Sequence, residues 1–221
     1  MQLTWYGHSC FLLESESGTR VLMDPCDPET GYHVEEVEAD IITVSHGHHD
    51  HNYVQAAAGH PVVIETPGVH KETGVRISGF TTFHDEQGGA KRGGNIAFLV
   101  EMDNVRVLHL GDLGHELDPA LVEAIGGVDV LLCPIGGVYT IDAQTAKKVA
   151  ASINPQVFVP MHYMTPALTF VLDSIEKLLP LVGQERVIHR INDCTCTISA
   201  DALGEKRILL MQYKPSGKDR A

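Results

Sequence analysis

Short apolar runs, each closed by Gly, Pro, Asp or Asn, recur from one end of this chain to the other, and runs of that length suit β-strands better than helices. They predict strands over Gln2–Tyr6, Cys10–Glu14, Thr19–Met23, Asp40–Val44, Val62–Glu65, Val75–Ser78, Thr81–His84, Ile96–Glu101 and Val105–Leu110. Further strands are expected over Val128–Cys133, Gln156–Val159, Arg186–His189, Cys194–Ile198 and Arg207–Tyr213. Only three segments carry helical periodicity: Pro119–Ile125, Asp142–Ile153 with Asp142 as N-cap, and Leu168–Leu181 with Thr169 as a candidate cap. Many strands with few helices imply two sheets packed face to face and helices outside. No repeat, low-complexity stretch or linker divides the 221 residues, and 43% of them are hydrophobic, enough for a sizeable core. A single domain over 1–221 is expected, with 213–221 as a frayed polar tail.

Charge narrows the partners. Asp and Glu number 29 against 16 Lys and Arg, a net charge of −13, and no basic run offers a track for a polyanion. Neither nucleic acid nor an anionic membrane is an expected partner; a small molecule is, and a homo-oligomer is compatible with the sequence. The uncharged stretch from Val149 to Leu172 holds Pro155, Pro160, Pro166 and His162, which makes it a poor membrane span. The N-terminus, Met1-Gln2-Leu3-Thr4-Trp5-Tyr6, lacks a leader pattern. Cys10, Cys26, Cys133, Cys194 and Cys196 are odd in number and include no C-x-x-C, so reduced thiols and a cytoplasmic location are expected. Cys194 and Cys196 share one strand face as core thiols or, less simply, as a metal or redox pair.

Thirteen histidines are the informative excess. In Ile41-Ile42-Thr43-Val44-Ser45-His46-Gly47-His48-His49-Asp50-His51 an apolar strand runs into H-x-H-x-D-H. About 0.003 such patterns are expected by chance at this composition. Neutral imidazoles suit zinc, iron and manganese, and a carboxylate adds charge and a harder oxygen. His46 and His48 can grip one ion from one side of an extended segment, leaving Asp50 and His51 for a second. A solvated His-rich loop is the plainer alternative.

Taken with Gly7-His8-Ser9, Met23-Asp24-Pro25 and Pro160-Met161-His162-Tyr163, in that order, this segment resembles the metallo-β-lactamase-fold superfamily of metal-dependent hydrolases. The nearest likeness is to small bacterial and archaeal members related to L-ascorbate-6-phosphate lactonase. The resemblance implies an α/β (α+β) fold, a four-layer αββα sandwich, with metal-binding loops at one sheet edge. It implies a first metal on His46, His48 and His84, with His70 and His109 as rivals to His84, and a second on Asp50, His51 and His162. Asp112, after Val105–Leu110, bridges the two; His109 is better read as a core histidine.

It further implies that Asp24 orients a ligand histidine, unless it makes only an Asx-turn before Pro25. His8 is either an acid or substrate ligand or a structural histidine. Arg92, in a Gly-rich loop near His84, clamps an anion or is a solvated charge. Gly136-Gly137-Val138-Tyr139-Thr140 brings backbone to a ligand or makes a turn, and Tyr139 and Tyr163 are substrate-side candidates. His33, His60, His70, His115 and His189 are expected on the surface or in packing.

The chemistry expected is hydrolysis of a small anionic ester, lactone or phosphoester. Two divalent ions, Zn2+ with Mn2+ or Fe2+ as alternatives, activate the attacking water. Catalytic roles then fall to Asp50, Asp112 and His8. No G-x-S-x-G or P-loop suggests another route. A phosphodiesterase or nuclease of the same fold, a di-iron redox protein and a non-catalytic metal binder are the alternatives.

Overall fold

The computed structural model describes residues 1–183 and 185–215. The chain opens with β1 (Gln2–Gly7), β2 (Cys10–Glu14) and β3 (Arg20–Met23). β4 (Val37–Glu38), β5 (Ile41–Thr43), β6 (Ala57–Ala58) and β7 (Val62–Ile64) follow. β8 (Gly68–Glu72), β9 (Val75–Phe83), β10 (Gly94–Met102) and β11 (Val105–His109) form an antiparallel run. After them come α1 (Pro119–Ile125), β12 (Val130–Pro134), α2 (Ala143–Ile153), β13 (Val157–Met161) and α3 (Leu179–Val182). β14 (Val187–Arg190), β15 (Thr195–Thr197) and β16 (Arg207–Leu210) complete the described elements.

Two mixed sheets result, one in the order β15-β1-β2-β3-β5-β7 and one in the order β14-β16-β13-β12-β11-β10-β9-β8; β4 and β6 pair separately. Strand alternation explains how the first sheet packs. Phe11, Leu13, Val21, Met23 and Ile41 point into the main core against the second sheet, while Cys10, Leu12, Leu22 and Ile42 point outward. β12 and β13 are buried at every position, as parallel strands covered on both faces must be. α2 supplies part of that cover through Ala146, Val149 and Ile153. Its ends are set locally: Asp142 accepts the Thr145 N–H at 2.8 Å, and left-handed Asn154 closes the C-terminus.

The outer face of the six-stranded sheet is covered differently. Among the described residues no α-helix lies there; Tyr32, Val34, Ala56, Leu168 and Leu172, from loops and single 3-10 turns, do the covering. The fourth layer of the sandwich is thin on this side. This also explains why the helix expected over Leu168–Leu181 does not form as one rod. Leu168 and Leu172 belong to the outer cluster, whereas Ile175, Leu178 and Leu179 pack on the main core, so no single stripe serves both. Thr169 donates its hydroxyl to Glu29 O and its N–H to Thr30 O, and Asp173 N–H goes to Gly136 O. A 3-10 turn at Ile175–Lys177 and the short α3 are what remain.

Three other expectations change. Val75–Ser78 and Thr81–His84 are one strand, because Gly79 is no break. Its missing side chain admits Phe98, Pro67 and Thr66 within 3.0 Å of where a Cβ would stand. β8 was hidden by its polar, edge-strand sequence. Of the supposed frayed tail 213–221, Lys214 N–H bonds Trp5 O at 2.8 Å and Tyr213 packs edge-on against Trp5 and Tyr32; 216–221 lie outside the described residues. No helix is long and apolar enough to cross a membrane among the described residues.

Candidate metal centre

The groups that meet at the candidate centre lie just beyond the C-terminal ends of strands. His8 follows β1, Asp24 follows β3, His46 to His51 follow β5, His84 follows β9, Asp112 follows β11 and His162 follows β13. These strands end at one rim of the sandwich, so residues scattered through the sequence converge. Three of them sit in the left-handed region, His8 and His162 at φ 50° and Asp24 at φ 44°. That conformation costs about 1 kcal/mol or more per non-glycine residue and persists where the surroundings enforce it.

Two groups form around one carboxylate. His46, His48 and His84 offer ring nitrogens within 4.8 Å of one another, and so do His8, Asp50, His51 and His162 with their ligand atoms. Asp112 stands between the groups. Its Oδ2 is 3.1 Å from His84 Nε2 and 3.9 Å from His46 Nε2, while its Oδ1 is 3.1 Å from His51 Nε2 and 3.3 Å from His162 Nε2. Short as they are, the contacts of Oδ1 do not have hydrogen-bond geometry. Asp112 Oδ1, His51 Nε2 and His162 Nε2 are buried without a hydrogen-bond partner. Buried polar atoms seldom stay unpaired, and three of them converging with lone pairs fit a bound cation. The donor set, imidazole plus carboxylate without sulfur, suits zinc, iron or manganese.

The surroundings set the charge preference of each of these groups. Burial, reinforced by His51, lowers His46 to about 3, which keeps its imidazole neutral. Burial and the neighbouring His162 lower His8 to about 4. Burial alone would raise Asp50, but the His8 hydrogen bond at 3.1 Å and the nearby His51 outweigh it and hold the carboxyl well below its ordinary range. At His51 burial favours the neutral ring, yet Asp112, Asp24 and Asp50 overcome it and draw positive charge to this point. Asp24 bonds His51 Nδ1 and takes both the N–H and the hydroxyl of Ser45. Asp24 thus sits behind His51, on the ring nitrogen opposite the one that faces Asp112.

The structure separates the remaining candidates. A cavity of about 500 Å³ opens over the ligands, lined by His48, Asp50, His84, Asp112, Lys91, Arg92, Tyr139 and Phe170 among others. Arg92 and Tyr139 therefore face the same space as the ligands. His8 does not line this cavity; it is fully buried, its ring centre 4.1 Å from that of His162 with the two planes tilted by 40°. Tyr163 also turns away, packing 5.5 Å from Trp5 on the side of a second groove. His109 bonds Ser9 O at 2.8 Å and accepts Gly111 N–H, as a core histidine does. His70 bonds Thr66 O on edge strand β8, apart from both groups.

Comparison with known proteins places the chain. Residues 2–162 match the family model of the beta-lactamase superfamily domain. A UPF0173 metal-dependent hydrolase of Archaeoglobus fulgidus is 36% identical over 196 residues, covering 75% of this chain and 84% of the relative. The chain belongs to the UPF0173 family of metal-dependent hydrolases. Another UPF0173 member, from Methanoculleus marisnigri, is 32% identical over 85% of this chain and 92% of its own. Among solved structures, a candidate Zn-dependent hydrolase of the metallo-beta-lactamase superfamily from Thermotoga maritima matches with a TM-score of 0.80 and 40% identity. The match spans 95% of this chain and 97% of that one. This UPF0173 hydrolase thus has the metallo-β-lactamase fold, an α/β sandwich of two mixed sheets with His/Asp clusters at its rim.

Sequence reasoning passed over the residues that support the candidate ligands of this UPF0173 hydrolase. Asn95, buried on β10, accepts Asp112 N–H at 2.9 Å and donates to Thr82 Oγ1 and Leu110 O, fixing the Asp112 backbone. Asp85, next to His84, accepts four backbone N–H groups of its own loop. Neither had a local signal beyond being polar in a β-rich segment.

Proposed function

We propose that this protein hydrolyses a small anionic ester, lactone or phosphoester with the help of two divalent ions, Zn2+ in the first instance. The observation that carries the reading is Asp112, whose two oxygens are aimed at different nitrogen groups, His84 and His46 on one side, His51 and His162 on the other. In this reading His46, His48 and His84 would hold one ion and Asp50, His51 and His162 the second, with Asp112 between the two groups. The ions, when bound, lower the pKa of water toward neutrality and polarise the oxygen of the bond to be broken.

The protein's own groups do the rest. Asp50 lines the cavity and is held ionised, which suits it to hold the proton of the attacking water. His8 keeps that carboxylate in place from behind, by its 3.1 Å contact with Oδ2. This replaces the role of acid or substrate ligand considered for His8. Tyr139 and Phe170, 6.0 Å apart edge to face, supply an apolar wall for the body of a substrate. A cavity of about 500 Å³ suits a metabolite better than a polymer.

The test is a panel of neutral and phosphorylated lactones, carboxylate esters, phosphodiesters and single-stranded RNA, given to metal-loaded protein and to His48→Ala. Turnover of a lactone or ester by the parent protein and its loss in the variant is the expected result. A phosphorylated sugar-acid lactone is the most specific compound to include. RNA cleavage without turnover of any small ester or lactone would replace this reading with a nuclease, and inactivity across the panel with a non-catalytic metal binder.

A further inference from the structure

Asp85 is buried beside His84, yet its carboxylate reaches no ligand atom and no core group. It bonds only its own loop: Oδ1 accepts the N–H of Gln87 at 2.7 Å and of Gly89 at 3.0 Å, and Oδ2 accepts those of Lys91 at 2.9 Å and Arg92 at 2.8 Å. A glycine-rich segment, Gly88-Gly89-Ala90-Lys91-Arg92-Gly93-Gly94, would otherwise sample many shapes. The clamp holds it in one, and in that shape Lys91 and Arg92 line the same cavity as Asp112.

Arg92 is tied to the far wall as well. One of its terminal nitrogens bonds Val138 O at 3.3 Å, and its guanidinium carbon lies 5.6 Å from the centre of the Tyr139 ring. Six of the described cations, Arg20, Arg76, Arg106, Lys147, Lys148 and Lys177, have carboxylate partners. Lys91 and Arg92 have none among the described residues. Two adjacent unpaired cations at the mouth of the ligand cavity, in a chain of net charge −13, make a local field suited to an anion.

We infer that Lys91 and Arg92 form an anion-binding subsite, preorganised by Asp85, that takes the phosphate or carboxylate group of the substrate away from the bond being cleaved. Arg92 offers a fork for two oxygens and Lys91 a point charge. Asp85 is a positioning residue, acting through the backbone of the cations. The inference builds on the hydrolase reading above, but its test does not depend on turnover.

Inorganic phosphate and acetate are titrated calorimetrically into the zinc-loaded full chain and into Arg92→Ala, Lys91→Ala, Asp85→Ala and Asp85→Asn, each with its zinc content measured. Phosphate affinity is expected to fall about tenfold in Arg92→Ala, the worth of one charge-assisted hydrogen bond. A smaller fall is expected in Lys91→Ala. Asp85→Ala should lose affinity although both cations remain, and Asp85→Asn, which keeps one acceptor oxygen, should lie between. Tighter binding of phosphate than acetate assigns the subsite to phosphate monoesters, and the reverse assigns it to carboxylates. Phosphate affinity unchanged in Arg92→Ala and Lys91→Ala, at unchanged zinc content, would overturn the subsite by leaving phosphate on the metals alone. Unchanged affinity in both Asp85 variants would overturn the clamp. Because anion binding is measured without turnover, a protein inactive on the whole hydrolase panel would still confirm or refute the subsite by these affinities.

Discussion

Asp24 Oδ2 lies 2.7 Å from His51 Nδ1, and this contact turns the opposite nitrogen, Nε2, toward Asp112 Oδ1 at 3.1 Å. A carboxylate on Nδ1 fixes the ring orientation and makes Nε2 the better ligand. Asp24→Asn should therefore weaken metal binding about 10–100-fold with the fold retained. Competition with a chromophoric chelator measures this; an unaltered dissociation constant would remove Asp24 from the support of the site.

Asp112→Asn should behave unlike any single-histidine variant. The parent carboxylate points one oxygen at each nitrogen group, so its loss should lower occupancy of both ions together. His48→Ala should empty only the position shared with His46 and His84, and His162→Ala only the other. Metal per chain by elemental analysis distinguishes the cases, and full occupancy in Asp112→Asn would rule out a bridge.

Gly7→Ala is expected to be severe. Gly7 has φ +118°, and a Cβ there would come 2.1 Å from Tyr32 Cδ1 in the outer cluster. Backbone strain and a displaced aromatic ring together should cost about 3 kcal/mol or more. Urea denaturation of parent and variant, compared at constant m-value, reads the difference.

Alkaline stability should carry a signature of Tyr32. Burial raises its phenol to about 12, only partly offset by the 2.6 Å hydrogen bond to Thr165. The unfolded chain ionises near 10, so above that pH the folded state holds more protons and stability falls as pH rises toward 12. Two pKa units correspond to about 2–3 kcal/mol over that window. Tyr32→Phe should flatten this part of the stability profile, and an identical profile would show that the phenol titrates normally.

The thiols should all be free. Cys10, Cys26 and Cys133 are buried, Cys194 and Cys196 half-buried, and none takes part in the groups around Asp112. Denatured, unreduced protein should release five equivalents in a thiol titration, while native protein reacts at Cys194 and Cys196 alone. Replacing that pair with serine should leave metal content unchanged, whereas release of metal would make sulfur part of the centre.

What could be read from the sequence was whatever local spacing decides. Cys10–Glu14 and Pro119–Ile125 have their expected limits because alternation, capping and Pro at N1 are properties of neighbouring residues. The segment from His46 to His51 was legible for the same reason, its four candidate ligands lying within one loop. Tertiary structure decided the rest. Leu168–Leu181 has helical spacing, but two different cores divide its leucines, and hydrogen bonds to Glu29, Thr30 and Gly136 take its backbone. Asn95 matters only because β10 brings it under the Asp112 N–H, 17 residues on. His8 and Asp50, 42 residues apart, meet only because β1 and β5 end at the same rim. Apolar periodicity is a short-range record of which face is buried, whereas a hydrogen bond between distant strand ends leaves no trace until the sheets have formed.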